Sequence, residues 1–232
     1  MRRFLWKVLK SEGGFAGPLG LFATWAHESS HAIVGWIDGA SISRVDIAAN
    51  GSGATGVATS GAPSDFTEVT VGSAGYLGTV IVGAILLAAG RSQRAAKITL
   101  IVVGLCMIAS ALIWMPSAFA FGVSFGLGAL IIALTFILPG KWAQLLATGL
   151  GALTIFEGLI RITDVGDGTT DAVLTHHFSG LSVGTIRILW LIVGVVVAIG
   201  AVVVRTGPLR KKVNQWDAET GGGKDELPDP SL

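Results

Sequence analysis

Long apolar segments separated by short polar connections dominate the chain, and their lengths predict helices that cross a membrane. The hydrocarbon core of a bilayer is about 30 Å thick, which a helix of about 20 apolar residues can span. Six segments approach that length: 18–37, 69–89, 98–114, 118–138, 142–160 and 185–204. The pattern predicts an all-α polytopic membrane protein with about six transmembrane helices.

The connection between the first two segments has a different pattern, which is typical of β-structure. Residues 41–47 alternate in polarity and are rich in β-branched side chains, and Asn50-Gly51 separates them from a second short run at 54–60. Asn-Gly between two such runs is a strong hairpin signal. A small extracytoplasmic β-hairpin over about 41–60 is therefore expected.

These patterns divide the chain into three parts. Residues 1–17 form an N-terminal segment, 18–205 a membrane domain, and 206–232 a polar tail. The tail contains three consecutive glycines at 221–223 and little apolar sequence, so we expect it to be disordered.

The composition supports a membrane location. Hydrophobic residues make up 51% of the 232 residues and charged residues only 13%, whereas soluble domains have about 25% charged residues. The net charge of +1, with no basic face in the sequence, argues against a nucleic-acid partner. Of the 33 glycines, those at 72, 75, 78, 122 and 126 are interpreted as positions where helices pack closely.

The basic residues predict the orientation in the membrane. If the six segments alternate in direction, the basic residues before the first, after the second, after the fourth and after the sixth all lie on one side. Arg44, Arg161 and Arg187 alone fall on the other side. Basic residues are enriched on the cytoplasmic side, so both termini are predicted to be cytoplasmic and the connections 38–68 and 163–184 to face outward.

The first segment contains the sequence His27-Glu28-Ser29-Ser30-His31. On a helix, His27 and His31 project from one face with their Cβ atoms about 5–6 Å apart, a spacing that allows both to bind one zinc ion. In H-E-x-x-H sites the glutamate does not bind the metal but accepts a proton from the water that the metal activates. The pattern predicts a zinc site with Glu28 as the catalytic base.

The ordinary interpretation of this motif is a surface helix with two histidines and a glutamate. The depth of the motif in a membrane segment argues against that interpretation. A charged group in the middle of a membrane helix costs at least about 2.5–3.5 kcal/mol. His27, Glu28 and His31 lie midway along an otherwise apolar segment. Packing alone does not account for three ionisable side chains at that depth.

The residues themselves leave the third metal ligand open. A catalytic zinc ion usually has three protein ligands and one open position. The outward connection 163–184 carries several candidate ligands. They are Asp164, Asp167, Asp171, His176 and His177, and spacing does not choose among Asp164, Asp167, Asp171 and His177.

The motif and its surroundings resemble the site-2 protease-type metalloproteases. Asp38-Gly39 and a β-rich stretch follow the motif, and the segment 74–78 is similar to a small-residue segment in the compact bacterial branch, the M50B-like peptidases. Thr170-Asp171-Ala172 resembles the late Ser-Asp-Ala motif of that branch, which supplies a metal-binding aspartate. The resemblance therefore implies Asp171 as the third ligand, with Asp167 as the next candidate.

The same resemblance implies an activity, namely zinc-dependent cleavage of peptide bonds in or near transmembrane segments. The expected partners are the lipid bilayer and single-span membrane-protein substrates, and the expected location is a bacterial cell membrane. An exposed strand of the hairpin could hold an extended peptide by β-addition. The alternatives are a non-catalytic transporter or scaffold with a structural metal site, and a zinc hydrolase that acts on lipid-borne substrates.

Overall fold

A computed structural model of the chain describes residues 17–58, 64–166 and 168–207. Most of the N-terminal segment and most of the polar tail lie outside this part, so their predicted character stays a prediction. The described part contains seven helices and two strands. They are α1 (Pro18–Ile37), β1 (Ser41–Ile47), β2 (Gly53–Ala58), α2 (Asp65–Ala89), α3 (Gln93–Trp114), α4 (Ala118–Ile137), α5 (Gly140–Thr163), α6 (Thr170–Ser179) and α7 (Val183–Thr206).

Five of these helices, α2, α3, α4, α5 and α7, are long and apolar enough to cross a membrane. They correspond to the last five predicted segments. The helix α1 matches the first predicted segment residue for residue, but it does not reach the same hydropathy. Its histidines and glutamate lower the average, so a sixth crossing by α1 stays a prediction.

Serine caps explain why several helices begin earlier than the apolar pattern predicts. The hydroxyl groups of Ser64, Ser92, Ser117 and Ser182 each accept a hydrogen bond from the backbone N–H three residues further on. Such a cap satisfies one of the free N–H groups of the first helical turn. The first turns of α2 and α3 are polar, so the length of the apolar segments does not include them.

The helix α2 lies at the centre of the bundle and packs against α1, α5, α6 and α7. Glycines allow its close contact with α5, because a Cβ atom at Gly83 would lie only 2.9 Å from the Gly151 carbonyl oxygen. The α3–α4 pair has a similar contact between Gly104 and Gly128. By contrast, a Cβ atom at Gly122 or Gly126 would meet no described atom within 4 Å, so their interpretation as packing positions is wrong.

The predicted hairpin is confirmed, with β1 and β2 antiparallel and Val45 opposite Thr55. It folds back along α1, since the Thr24 hydroxyl donates to the Gly51 carbonyl oxygen at 2.7 Å and a Cβ atom at Gly35 would lie 3.2 Å from the Val57 side chain. The 11 residues from Thr24 to Gly35 correspond to about 16 Å of helix. The hairpin is therefore part of the bundle wall, and its extracytoplasmic position stays a prediction.

Candidate metal centre and the cavity around it

Three side chains that are far apart in the sequence converge on one point. The Nε2 atoms of His27 and His31 are 3.1 Å apart, and both rings project from the same face of α1. The Oδ2 atom of Asp171, in the first turn of α6, lies 3.1 Å from Nε2 of His27 and 3.3 Å from Nε2 of His31. The three atoms form a nearly equilateral triangle.

This triangle has the size that a tetrahedral metal site requires. With metal–ligand bonds of about 2.0–2.1 Å, neighbouring ligand atoms of a tetrahedron are about 3.3–3.4 Å apart. The measured separations of 3.1–3.3 Å agree with that edge to within a few tenths of an ångström. His27, His31 and Asp171 could therefore hold a metal ion and leave one position open.

Neighbouring groups orient both imidazole rings. His31 donates a hydrogen bond from Nδ1 to the Val71 carbonyl oxygen at 2.6 Å, so Nε2 is the ring nitrogen that faces Asp171 and would bind a metal. The ring of His27 lies perpendicular to that of Tyr76, with centroids 4.8 Å apart. Tyr76 in turn stacks on Trp190, whose indole N–H donates to Ser73. Support for the ligands thus comes from α2 and α7.

Two glycines on one face of α2 make room for the cluster. A Cβ atom at Gly75 would lie only 2.5 Å from Nε2 of His27 and would also collide with Nε2 of His31. A Cβ atom at Gly72 would lie 3.1 Å from the backbone carbonyl oxygen of Asp171. The interpretation of both positions as packing glycines is confirmed, and what packs there is the candidate metal centre.

The carboxylate of Glu28 is buried beside the cluster and is not one of its three members. Its Oε2 atom accepts a hydrogen bond from the Thr55 hydroxyl at 2.7 Å. The strand β2 passes so close that a Cβ atom at Gly53 would lie 2.5 Å from Oε1 of Glu28. The Glu28 carboxylate is therefore enclosed by the hairpin on the side away from the histidines' own helix.

Burial and hydrogen bonding act in opposite directions on Asp171. Burial alone favours the neutral carboxyl group, but hydrogen bonds with His27 and His31 hold the pKa of Asp171 well below its ordinary value. The carboxylate is thus ionised at neutral pH, which is the form that binds a metal.

A cavity of about 720 Å³ adjoins the cluster and is within the range of about 300–1,000 Å³ that ligand sites have. The strand β2, the first turns of α2, the end of α5 and the start of α6 form its walls. Charged groups of both signs also line it, namely the acidic Glu68 and Asp164 and the basic Arg161. The space is large enough for several residues of an extended peptide.

The cavity lies near one end of the bundle. Arg161, in the last turn of α5, donates to the Thr24 hydroxyl at 3.1 Å. Trp25 donates to Ser110, one turn before α3 ends, at 2.8 Å. The motif residues therefore lie level with the ends of α3 and α5, which is the outer end of the bundle under the predicted orientation.

Of the other predicted ligands, those that the structure describes do not join the cluster. Asp164 lines the cavity without joining the three ligand atoms, and Asp167 lies outside the described residues. His176 donates from Nδ1 to the Leu181 carbonyl oxygen, and His177 packs against Phe178. Within the described ranges, Asp171 is the carboxylate that meets both histidines.

Sequence reasoning missed several residues around the cavity. Thr55 and Gly53 gave no signal, because their roles depend on how the hairpin folds back. Glu157 did give one: it is an acidic residue in an apolar segment, and such residues often have a function. It is buried and accepts a hydrogen bond from Arg161 at 3.0 Å, so it holds that guanidinium at the cavity wall.

The fold and the cluster together define an integral membrane protein with a candidate metal centre. The chain belongs to the Peptidase M50B-like family, whose model matches residues 4–201. This match confirms the resemblance found in the motifs and indicates a membrane metalloprotease. No curated protein and no solved structure gives a significant match.

Proposed function

We propose that the protein is an intramembrane zinc endopeptidase that hydrolyses peptide bonds in or near the transmembrane segments of other membrane proteins. The convergence of His27, His31 and Asp171 beside the buried Glu28 carries this proposal. Two imidazoles and a carboxylate are ligands that zinc accepts, and three protein ligands with an open position are typical of catalytic zinc sites.

Each site residue has a distinct role in the proposed reaction. His27, His31 and Asp171 would hold the zinc ion, which when bound polarises the scissile carbonyl group and makes water a stronger nucleophile. Glu28 accepts a proton from the attacking water and then donates it to the departing amine. The products are a carboxylic acid and a free amine, and the carboxylate of Glu28 is regenerated.

The hairpin gives the proposed site a means to bind its substrate. A peptide bond in a helix is sheltered, so the substrate has to be extended before it is cleaved. Residues 53–55 of β2 line the cavity directly beside Glu28. A peptide that adds to this strand would form backbone hydrogen bonds and lie next to the base.

The charge pattern supports the orientation in the membrane, and the family resemblance supports the location. We propose that the chain lies in a bacterial cell membrane with both termini in the cytoplasm, that residues 18–205 form the protease domain, and that single-span membrane proteins are its substrates. The cavity then opens near the outer face, and cleavage occurs in the outer part of the substrate segment.

The experiment uses the full chain in liposomes with two synthetic single-span peptides. In the first peptide a Gly-Pro pair interrupts the outer part of an apolar helix, and in the second the helix is uninterrupted. We expect zinc-dependent cleavage of the first peptide at a much higher rate than of the second. Mass spectrometry of the products locates the cleaved bond.

Two variants test the assigned roles. Glu28→Gln should bind one zinc ion per chain but lose activity by at least about 100-fold, because the base is gone. Asp171→Asn should bind zinc more weakly, whereas the matched variant Asp38→Asn, outside the cluster, should bind it normally. A wild-type protein that binds zinc and cleaves neither peptide would favour a transporter or scaffold.

A further inference from the structure

The side chain of Glu28 is held by a residue of the hairpin. The Thr55 hydroxyl lies 2.7 Å from Oε2 of Glu28 and 3.0 Å from the backbone carbonyl oxygen of the same residue. A hydroxyl group that donates to a carboxylate at such a distance forms one of the stronger hydrogen bonds in proteins. Thr55 therefore restricts the rotation of a side chain that otherwise has three free torsions.

The backbone of β2 completes this restriction. Because Gly53 has no side chain, its Cα lies close to the Glu28 carboxylate, and a Cβ atom there would be 2.5 Å from both Cγ and Oε1. One carboxylate oxygen is thus bound by Thr55 and the other lies against Gly53.

The position of β2 relative to α1 is itself fixed. At the hairpin tip the Gly51 carbonyl oxygen accepts from Thr24, and the same Thr24 hydroxyl accepts from Arg161. Val45 and Ile47 of β1 are fully buried in the core. The hairpin therefore brings Thr55 to a defined height on α1, at the level of the base.

We propose that Thr55 is a positioning residue for Glu28: its hydroxyl holds the carboxylate in the orientation that receives the proton from water. This inference rests on the proposed protease function. It makes the hairpin a part of the catalytic machinery as well as a surface for the substrate, because the strand that binds the peptide also orients the base.

The test compares Thr55→Val, which keeps the shape and the β-branch but removes the hydroxyl, with Thr55→Ser, which keeps the hydroxyl. The substrate is the interrupted single-span peptide, and kcat, KM and bound zinc are measured in liposomes. We expect Thr55→Val to lower kcat by about 10- to 100-fold, which is the size of effect seen when the partners that orient residues at metal sites are removed. KM and the zinc content should stay unchanged, and Thr55→Ser should retain most of the activity.

Two further variants complete the design. Gly53→Ala places a methyl group against the Glu28 carboxylate and should also lower kcat with zinc retained. Thr163→Val is the matched control, because the Thr163 hydroxyl is exposed and donates to the Ile160 carbonyl oxygen of its own helix. It should behave as wild type.

Three results would overturn the role of Thr55. They are a Thr55→Val enzyme with a kcat within about twofold of wild type, a change in KM alone, and a Thr55→Ser enzyme as slow as Thr55→Val. In each of these cases the wild-type enzyme still cleaves the peptide, so the proposed function stands. Wild-type protein that cleaves no peptide contradicts the proposed function, and the role of Thr55 with it.

Discussion

The first and last helices of the described bundle differ sharply in what surrounds them. Of the 20 residues of α1, 12 are buried, and these include Thr24, His27, Glu28 and His31. Of the 24 residues of α7, only Ile186, Trp190, Gly194 and Ala201 are buried. The helix α1 is enclosed by protein, whereas α7 exposes most of its valines and isoleucines.

This difference explains why hydropathy finds α7 and not α1. A helix that faces lipid needs apolar side chains on its outer surface, since no water is present to solvate polar ones. A helix that is enclosed by other elements can carry polar groups, provided that those groups have partners. The helix that carries two residues of the candidate metal centre is therefore the one with the weakest hydropathy.

The largest effect is expected at Gly75 of α2, which lies against His27 and His31 of the enclosed helix α1. Gly75→Ala should abolish zinc binding and peptide cleavage, because the new Cβ atom would lie 2.5 Å from Nε2 of His27. Zinc is measured by elemental analysis of the purified protein, and cleavage with the interrupted peptide.

The matched control is Gly200→Ala on α7, where a Cβ atom would meet no described atom within 4 Å. Alanine stabilises a helix by roughly 0.5–1 kcal/mol relative to glycine, so both variants gain the same helix stability and differ only in what the new methyl group contacts. Normal zinc binding by Gly75→Ala would mean that α2 does not approach the histidines as described.

Local sequence patterns predicted much of the fold and part of the site. Periodicity and length located the apolar helices, Asn50-Gly51 located the hairpin, and the spacing of His27 and His31 placed two imidazoles on one face. These features depend on residues that are close in the sequence. Asp171 came from the family resemblance, and the structure places it against both histidines.

The remaining features depend on tertiary contacts that no local pattern encodes. Thr55 and Glu28 are 27 residues apart, and their contact exists only because the hairpin turns back along α1. Likewise, Arg161 reaches Thr24 across 137 residues of sequence. In the sequence Thr55 is one polar residue of a strand, and nothing near it marks it as a neighbour of Glu28.

An intermediate effect is expected at Trp190, where α7 itself supports the candidate metal centre. Trp190→Ala removes a buried ring that stacks on Tyr76 and should destabilise the protein by about 3–5 kcal/mol. Thermal unfolding in detergent measures the loss. Leu189→Ala, at the neighbouring position that is 47% exposed, is the control and should cost far less.

The smallest effect is expected at Val196, which is 62% exposed on α7 and faces away from the bundle. If that face contacts lipid, Val196→Ala exchanges one apolar surface for another and should change the stability by no more than about 0.5 kcal/mol, with normal cleavage. Thermal unfolding in detergent and the peptide assay in liposomes measure both properties. A loss of thermal stability comparable to that of Trp190→Ala would show that the exposed face of α7 packs against protein, such as a second copy of the chain. The contrast between an enclosed α1 and a lipid-facing α7 would then hold only for the single chain.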